Sequence, residues 1–290
     1  MNIAIPAKTF LVGEYLALTG GPAIVLTTTP CFELRQCNPV GLHGIHPESP
    51  AGRLWDEQAP ANLGLTWHDP YHGIGGMGAS SAEFLGVYQA INSTHQVQTK
   101  ALLETYLRIA YSGKGTAPSG YDVLAQNSNG CVFIDNQQKT SSYAWPFADL
   151  AFILVHTEKK IATHQHLERF TEIKQAEKLN ELVLGAQQAF VSKNSQQLIN
   201  SINSYYKILL DLDLVAPHTQ NIIKQLLSES DLLAAKGCGA LGADIILLIV
   251  PFSQQEKWQK EILPKYLHWI ADTNALYSHH TAKILDISIK

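Results

Sequence analysis

The first part of the chain alternates apolar and polar positions in the way that β-strands do. Residues 3–12 predict a strand that ends at the sequence Gly-Glu-Tyr of residues 13–15. A Gly-Gly-Pro turn then precedes two runs of strand character, residues 23–29 and 31–37. Residues 38–75 are rich in Pro, Gly and His, and their pattern predicts no defined element.

Helical periodicity follows. In residues 80–93 and again in 99–113, apolar side chains recur every three or four positions, which predicts two helices that each bury one face. Residues 121–135 have strand character, and the continuous apolar run 151–156 is typical of a buried strand. Residues 164–230 predict successive helices with polar faces.

The last part of the chain returns to strand at residues 242–250, to helix at 257–270 and to strand character at 274–289. Strands followed by helices, without regular βαβ alternation, predict an α+β protein rather than a doubly wound sheet. A change in composition near Trp145 predicts two domains. Their expected bounds are residues 1–147 and 148–290.

The composition restricts the partners. The chain has 290 residues, of which 46% are hydrophobic, and a formal net charge of −4 without a long basic run. Nucleic acid and anionic membrane surfaces are therefore not expected partners. Four scattered cysteines without a CxxC pair indicate reduced thiols, and the start of the chain lacks the pattern of a signal peptide. We therefore expect a cytoplasmic protein.

Residues 72–82, His-Gly-Ile-Gly-Gly-Met-Gly-Ala-Ser-Ser-Ala, place many glycines directly before a predicted helix. Backbone amides in such a loop can approach an anion closely, and the start of the helix adds partial positive charge, so the expected ligand is a phosphate. The loop also matches the dinucleotide pattern GxGxxG, but no buried strand precedes it and no acidic residue follows about 20 positions later. The Walker A pattern fails because no Ser or Thr directly follows Lys114 and position 108 is not a glycine. A glycine-rich surface turn is the remaining alternative.

Two further turns of small residues, within residues 5–25 and 234–250, are flanked by predicted strands. With these turns, the sequence resembles the GHMP kinase superfamily, whose members include galactokinase, homoserine kinase, mevalonate kinase and phosphomevalonate kinase. The matching motifs occur in the family's order: Pro6-x-Lys8, Gly13-Glu14-Tyr15 and Gly21-Pro22-Ala23; then Gly76-Met77-Gly78-Ala79-Ser80-Ser81-Ala82; then Lys236 to Asp244. The third motif has Ala240-Leu241 where the family usually has consecutive glycines.

The resemblance implies a two-domain fold, with an N-terminal domain like ribosomal protein S5 domain 2 and a ferredoxin-like C-terminal domain. It also implies that ATP lies in the cleft, with its β- and γ-phosphates held by the amides of residues 75–82. The cofactor-binding residues implied in this way are Gly75, Gly76, Met77, Gly78, Ala79, Ser80 and Ser81.

Phosphoryl transfer needs charge neutralisation and a group that orients or deprotonates the attacking hydroxyl. Asp122 follows a Pro-Ser-Gly turn, as the catalytic aspartate of mevalonate kinases does, and the resemblance makes it the base. The alternative is an aspartate that caps a turn or a helix. Lys8 corresponds to the lysine that reaches this aspartate and the transferring phosphate, whereas a solvated strand-edge lysine is the alternative.

The resemblance also implies the acceptor and metal sites. The acceptor residues are Glu14, Tyr15, Ser119, Gly239 and Ala240. An ungapped match assigns Mg²⁺ to Ser80, and an alignment on Ser-Ser-Ala assigns it to Ser81. Mevalonate kinases also bind Mg²⁺ through a glutamate some 11 residues before the aspartate, but the corresponding stretch here has no acid and the nearest one upstream is Glu104.

Together these features predict an ATP- and Mg²⁺-dependent kinase that phosphorylates mevalonate or 5-phosphomevalonate. The expected partners are ATP and a small anionic alcohol, and a homodimer is compatible with the resemblance. The alternatives are mevalonate diphosphate decarboxylase, a kinase for another alcohol or a sugar, and a ligand-binding protein without turnover. Histidine pairs such as His43/His46, His164/His166 and His279/His280 lack the other ligands of a zinc site, so we interpret them as surface or core residues.

Overall fold

The computed structural model describes five stretches of the chain: residues 1–92, 98–113, 115–159, 173–229 and 231–278. The first sheet is built on two long strands, β1 (Asn2–Val12) and β2 (Ala23–Gln36), which pair antiparallel. The other strands of this sheet are β3 (Gly41–His43), β4 (Gly64–His68), β5 (Cys131–Ile134) and β6 (Thr140–Tyr143). Their order is β3-β4-β2-β5-β6, with β1 also paired to β2.

Helices accompany this sheet: α1 (Pro50–Gln58), α2 (Ala79–Ile91), α3 (Thr99–Ala110) and α4 (Tyr121–Gln126). A 3-10 turn, Leu16–Thr19, connects β1 to β2. Helix α2 is deeply buried, since Phe84, Leu85 and Val87 are all 0% exposed. The glycine loop therefore leads into a helix that the core holds in a fixed position.

The second sheet contains β7 (Leu150–His156), β8 (Ala234–Cys238), β9 (Ile245–Pro251) and β10 (His268–Asp272), in the antiparallel order β10-β7-β9-β8. Its longer helices are α5 (Ala176–Ser192), α6 (Ser195–Asp211) and α7 (Pro217–Leu226). Shorter helical turns are Ala240–Gly242, Phe252–Gln254, residues 255–265 and Thr273–Ala275. One hydrophobic cluster includes Phe32 of the first sheet and Phe152 and Leu247 of the second, so the two sheets share a core.

Several expectations are confirmed. The strand at residues 3–12, the helices at 80–93 and 99–113, and the buried strands at 151–156 and 242–250 all form. The α+β class is confirmed, with two sheets whose strands lie in residues 2–143 and 150–272. The domain boundary at residue 147 lies between the two sheets and stays a prediction. The expected strand at 274–289 lies largely outside the described residues, as do the first residues of the helical region 164–230.

Three expectations were wrong. Residues 23–29 and 31–37 form one strand, because Pro30 and Pro6 lie at the same register shift, where the ladder of hydrogen bonds is interrupted. Residues 121–126 form a helix rather than a strand; Tyr121 and residues 123–126 are buried, so the segment lacks an amphipathic pattern. The helix expected at 257–270 ends before β10, whose residues pair antiparallel with β7 across one register shift, between Trp269 and Ala271.

The described residues also bear on the cysteines and on membrane insertion. Cys31, Cys37, Cys131 and Cys238 are all free thiols. In the described parts of the chain, we find no helix with the length and apolar character needed to span a bilayer.

Candidate active site

The glycine loop lies between β4 and α2, and an aspartate shapes its entrance. Asp69 accepts hydrogen bonds from the amides of Tyr71 and Gly73, at 2.8 and 2.7 Å. Two glycines of the loop, Gly76 and Gly78, have φ values of 81° and 82°, which side-chain-bearing residues rarely adopt. Gly78 occupies the N-cap position of α2. The loop therefore presents its backbone to the cleft at the positive end of a helix.

Lys8 and the loop are packed against each other. The amide of Lys8 donates to the carbonyl of Met77 at 3.0 Å, and the Met77 side chain is fully buried in the core. A Cβ atom added to Gly78 would lie 2.8 Å from both Cγ and Cε of Lys8. Gly78 is thus needed for its positive φ and also for the space that Lys8 occupies.

Asp122 reaches the same place from α4. Its carboxylate oxygen Oδ1 lies 2.8 Å from Nζ of Lys8, and the two side chains are 36% and 9% exposed, respectively. Gly120, with φ 73°, turns the chain so that Asp122 falls in the first turn of α4, and the amide of Tyr121 donates to Ser119 Oγ at 3.3 Å. The ammonium group of Lys8 also lies 5.1 Å from the centre of the Phe10 ring.

The two serines of the loop have different surroundings. Ser81 is buried, and its hydroxyl donates to the carbonyl of Gly78 at 3.0 Å. Ser80 is exposed and lines the cleft. The structure thus brings Ser80, rather than Ser81, to the space that a ligand would fill. On the other side of the loop, the side-chain amide nitrogen of Gln126 donates hydrogen bonds to the carbonyls of Pro6 and Gly78, at 2.9 and 3.1 Å.

Glu14 forms a buried ion pair with the third motif. Its carboxylate oxygen Oε1 lies 2.8 Å from Nζ of Lys236, with side-chain exposures of 3% and 0%. Burial raises the pKa of Glu14, against the opposing pull of the Lys236 charge. Because Glu14 follows β1 and Lys236 lies in β8, this pair joins the first sheet to the second.

Tyr15 makes a second connection to the third motif. Its hydroxyl accepts a hydrogen bond from the amide of Leu241 at 2.7 Å and donates to the carbonyl of Leu214 at 3.2 Å. The carbonyl of Leu241 accepts from the amide of Ala216 at 2.8 Å. These bonds hold both peptide groups of Leu241, which has φ 55°, in the left-handed conformation that residues other than glycine rarely adopt.

Two glycines of the third motif also pack directly against each other. A Cβ atom on Gly237 would lie 2.5 Å from Cα of Gly242. Gly239, with φ 76°, lines the cleft, and Ala240 begins the turn Ala240–Gly242. The carboxylate of Asp244 lies against the glycine loop, since a Cβ atom on Gly75 would be 2.8 Å from Asp244 Oδ2.

The cleft between these elements has a volume of about 610 Å³. It is lined by Lys8, Asp122, the loop glycines, Ser80, Ser119, Glu14 and Tyr15. The sequence predicted these residues, and the structure brings them together.

Other residues of the site were missed by the sequence analysis. Glu83, one turn into α2, lines the cleft, and burial together with the charge of Asp69 raises its pKa to about 7. The sequence motif indicates Lys236 only as the start of the third motif, although a lysine within an apolar strand such as β8 is a signal of a buried partner. Tyr106 of α3 also lines the cleft.

The hydroxyl oxygen of Ser80 is a suitable ligand for a hard cation such as Mg²⁺. Within the described residues, no group of three or more His, Cys, Asp or Glu side chains is arranged to hold a metal ion. The pair His43/His46 lies in described residues, whereas His164/His166 and His279/His280 do not. The hydroxyl of Ser80 and the oxygens of a bound phosphate are the kind of ligand that Mg²⁺ prefers, and Mg²⁺ commonly retains several waters.

The fold is that of the GHMP kinases. The Methanococcus jannaschii mevalonate kinase structure superposes with a TM-score of 0.74 at 14% identity, over 96% of this chain and 98% of that chain. The Streptococcus pneumoniae phosphomevalonate kinase, in complex with phosphomevalonate and AMPPNP, gives a TM-score of 0.75 at 15% identity, over 94% and 99%. Lactococcus lactis galactokinase complexed with galactose gives 0.69 at 14%, over 91% and 89%. No protein-family model and no curated protein matches the sequence.

Proposed function

We propose that this protein is an ATP-dependent kinase that phosphorylates a hydroxyl group of a small molecule. The observation that supports this most strongly is the ion pair between Lys8 and Asp122, 2.8 Å long, beside the glycine loop and the N-terminus of α2. A base, a cation and an anion-binding loop in one cleft are the parts that phosphoryl transfer requires. The cleft volume of about 610 Å³ falls in the usual range for small-molecule sites.

In the proposed mechanism, the amides of residues 75–82 bind the β- and γ-phosphates of ATP. Asp122, which is 36% exposed, accepts the proton of the acceptor hydroxyl as its oxygen forms a bond to the γ-phosphorus. The bond from that phosphorus to the bridging oxygen of ADP breaks, and ADP leaves. Lys8 stabilises the negative charge of the transferring group. Mg²⁺, bound through Ser80 and the phosphates, would neutralise further charge on the triphosphate.

We propose mevalonate or 5-phosphomevalonate as the acceptor. The Gly-Glu-Tyr of the first motif and the final aspartate of the third, Asp244, favour 5-phosphomevalonate, whereas the Pro-Ser-Gly before Asp122 favours mevalonate. The Streptococcus pneumoniae phosphomevalonate kinase and the L. major mevalonate kinase in complex with R-mevalonate have the same fold. Galactokinase and homoserine kinase have it too, so sugars and amino-acid alcohols belong in the test.

The test is ADP formation by purified protein with mevalonate, 5-phosphomevalonate, mevalonate diphosphate, homoserine and galactose. We expect one acceptor to stimulate ADP release without carbon dioxide. Carbon dioxide release from mevalonate diphosphate would instead support the decarboxylase. Nucleotide binding without stimulation by any acceptor would support a ligand-binding protein and contradict the kinase proposal.

A further inference from the structure

We propose that Glu83, together with Ser80, binds the divalent cation that accompanies ATP in the cleft. This inference rests on the proposed kinase function and names a carboxylate ligand that the sequence motifs do not supply. It concerns α2, the helix that begins at the glycine loop.

Ser80 and Glu83 lie close together at the start of α2. Ser80 and Glu83 are three positions apart in α2, so their side chains lie on the same face, one turn apart. Both residues line the cleft, as do Asp122 and the glycines of the loop. The N-terminus of α2 is where the terminal phosphates would bind, and a cation held by Ser80 would therefore lie within one helical turn of Glu83.

The carboxylates of the cleft differ in how their charges are compensated. The carboxylates of Glu14 and Asp122 are each 2.8 Å from a lysine ammonium group. Among the described residues, by contrast, the half-buried carboxylate of Glu83 has neither an ion-pair partner nor a hydrogen-bond donor. An uncompensated carboxylate would repel a bound triphosphate, and a divalent cation between the two would turn that repulsion into attraction.

Glu83 and Ser80 offer the oxygen ligands that Mg²⁺ prefers, whereas Glu104 lies at the surface. One carboxylate, one hydroxyl, phosphate oxygens and water form a complete set of hard oxygen ligands for Mg²⁺. Glu104, the nearest acid upstream of Asp122, is exposed on α3 and lies 3.9 Å from the ammonium group of Lys100. Glu104 is therefore engaged at the surface, and it serves as a matched control for Glu83.

The test compares the binding of ATP in Mg²⁺ and in EDTA by titration calorimetry, for the wild type, Glu83→Gln and Glu104→Gln. Because even indirect supports of a metal site contribute about tenfold or more to metal affinity, we expect Glu83→Gln to weaken binding of Mg²⁺–ATP at least about tenfold. Binding of metal-free ATP should be unchanged or tighter, since a repulsive charge has been removed. Glu104→Gln should match the wild type in both conditions.

A second readout follows the cation itself. With Mn²⁺–ATP, replacement of a protein ligand by water should raise the water proton relaxation rate of the Glu83→Gln complex above that of the wild type. Equal affinity of wild type and Glu83→Gln for Mg²⁺–ATP would overturn the inference. So would an equal loss for Mg²⁺–ATP and metal-free ATP. A wild type that binds no nucleotide in either condition would instead overturn the proposed function, and this inference with it.

Discussion

The buried pair of Glu14 and Lys236 gives the sharpest prediction about stability. Removing one charge leaves the other buried without its partner, which typically costs about 3–5 kcal/mol. At the separation of 2.8 Å, the attraction between unit charges is about 6 kcal/mol for an effective dielectric constant of about 20, and the desolvation of both ions offsets much of it. We therefore expect Glu14→Gln and Lys236→Met each to lower the free energy of unfolding by about 3–4 kcal/mol.

The double variant separates pairing from simple packing loss. Because the second substitution removes a charge that has already lost its partner, the double variant should cost about as much as one single variant, with a coupling of about 3 kcal/mol. The assay is urea unfolding followed by circular dichroism and tryptophan fluorescence. The exposed pair Glu256–Lys260, with side chains 78% and 71% exposed, is the control, and its variants should unfold at nearly the same urea concentration as the wild type. Additive losses for Glu14 and Lys236 would refute this explanation.

Three further predictions concern the loop and its helix. Gly78→Ala should abolish most turnover, since its Cβ would lie 2.8 Å from the Lys8 side chain. Gly20 also has a positive φ, 77°, but nothing lies within 4 Å of its Cβ position, so Gly20→Ala should cost only about 1 kcal/mol of stability. Equal turnover of the two variants would contradict the role of Gly78 in packing against Lys8. Ser80→Ala should weaken Mg²⁺-dependent ATP binding, whereas Ser81→Ala should mainly lower the stability measured in thermal melts, by about 1 kcal/mol. The reverse pattern would assign the metal to Ser81. The pKa of Glu83 is raised from 4.5 to about 7 in the folded state, so the unliganded wild type should lose stability as pH rises from about 4.5 to 7. Glu83→Gln should therefore be the more stable protein above pH 7. A difference in stability between the two proteins that does not change with pH would contradict this.

Local sequence patterns predicted the elements in which one face is buried or the whole strand is apolar. Helix α3 has such a buried face, and strand β7 is such an apolar run. Helix α2 was also predicted from its apolar spacing, although it is buried on more than one face. Helix α4 was not predicted, because a short segment that is buried on nearly all sides has no polar face to mark it. The continuity of β2 through Pro30 depends on a bulge that it shares with β1. The register between two strands cannot be predicted from the sequence of one of them.

In the site, too, local features could be predicted from the sequence and contacts between distant residues could not. The glycine loop is visible in the sequence because positive φ values and close approach require glycine. The contact of Lys8 with Asp122 followed only from the family resemblance, since no local pattern joins distant residues. The pairing of Glu14 with Lys236 and the position of Glu83 required the tertiary structure, because each depends on how two remote segments pack.

The most direct test of the central claim is transfer of label from γ-³²P-ATP to an organic acceptor by the wild type and by Asp122→Asn, with ATP affinity measured on the same preparations. We expect labelled product with the wild type, a loss of about 10²–10⁴-fold for Asp122→Asn, and ATP affinities that agree within about twofold. Equal labelling by both proteins, or none by the wild type with any acceptor of the panel, would contradict it.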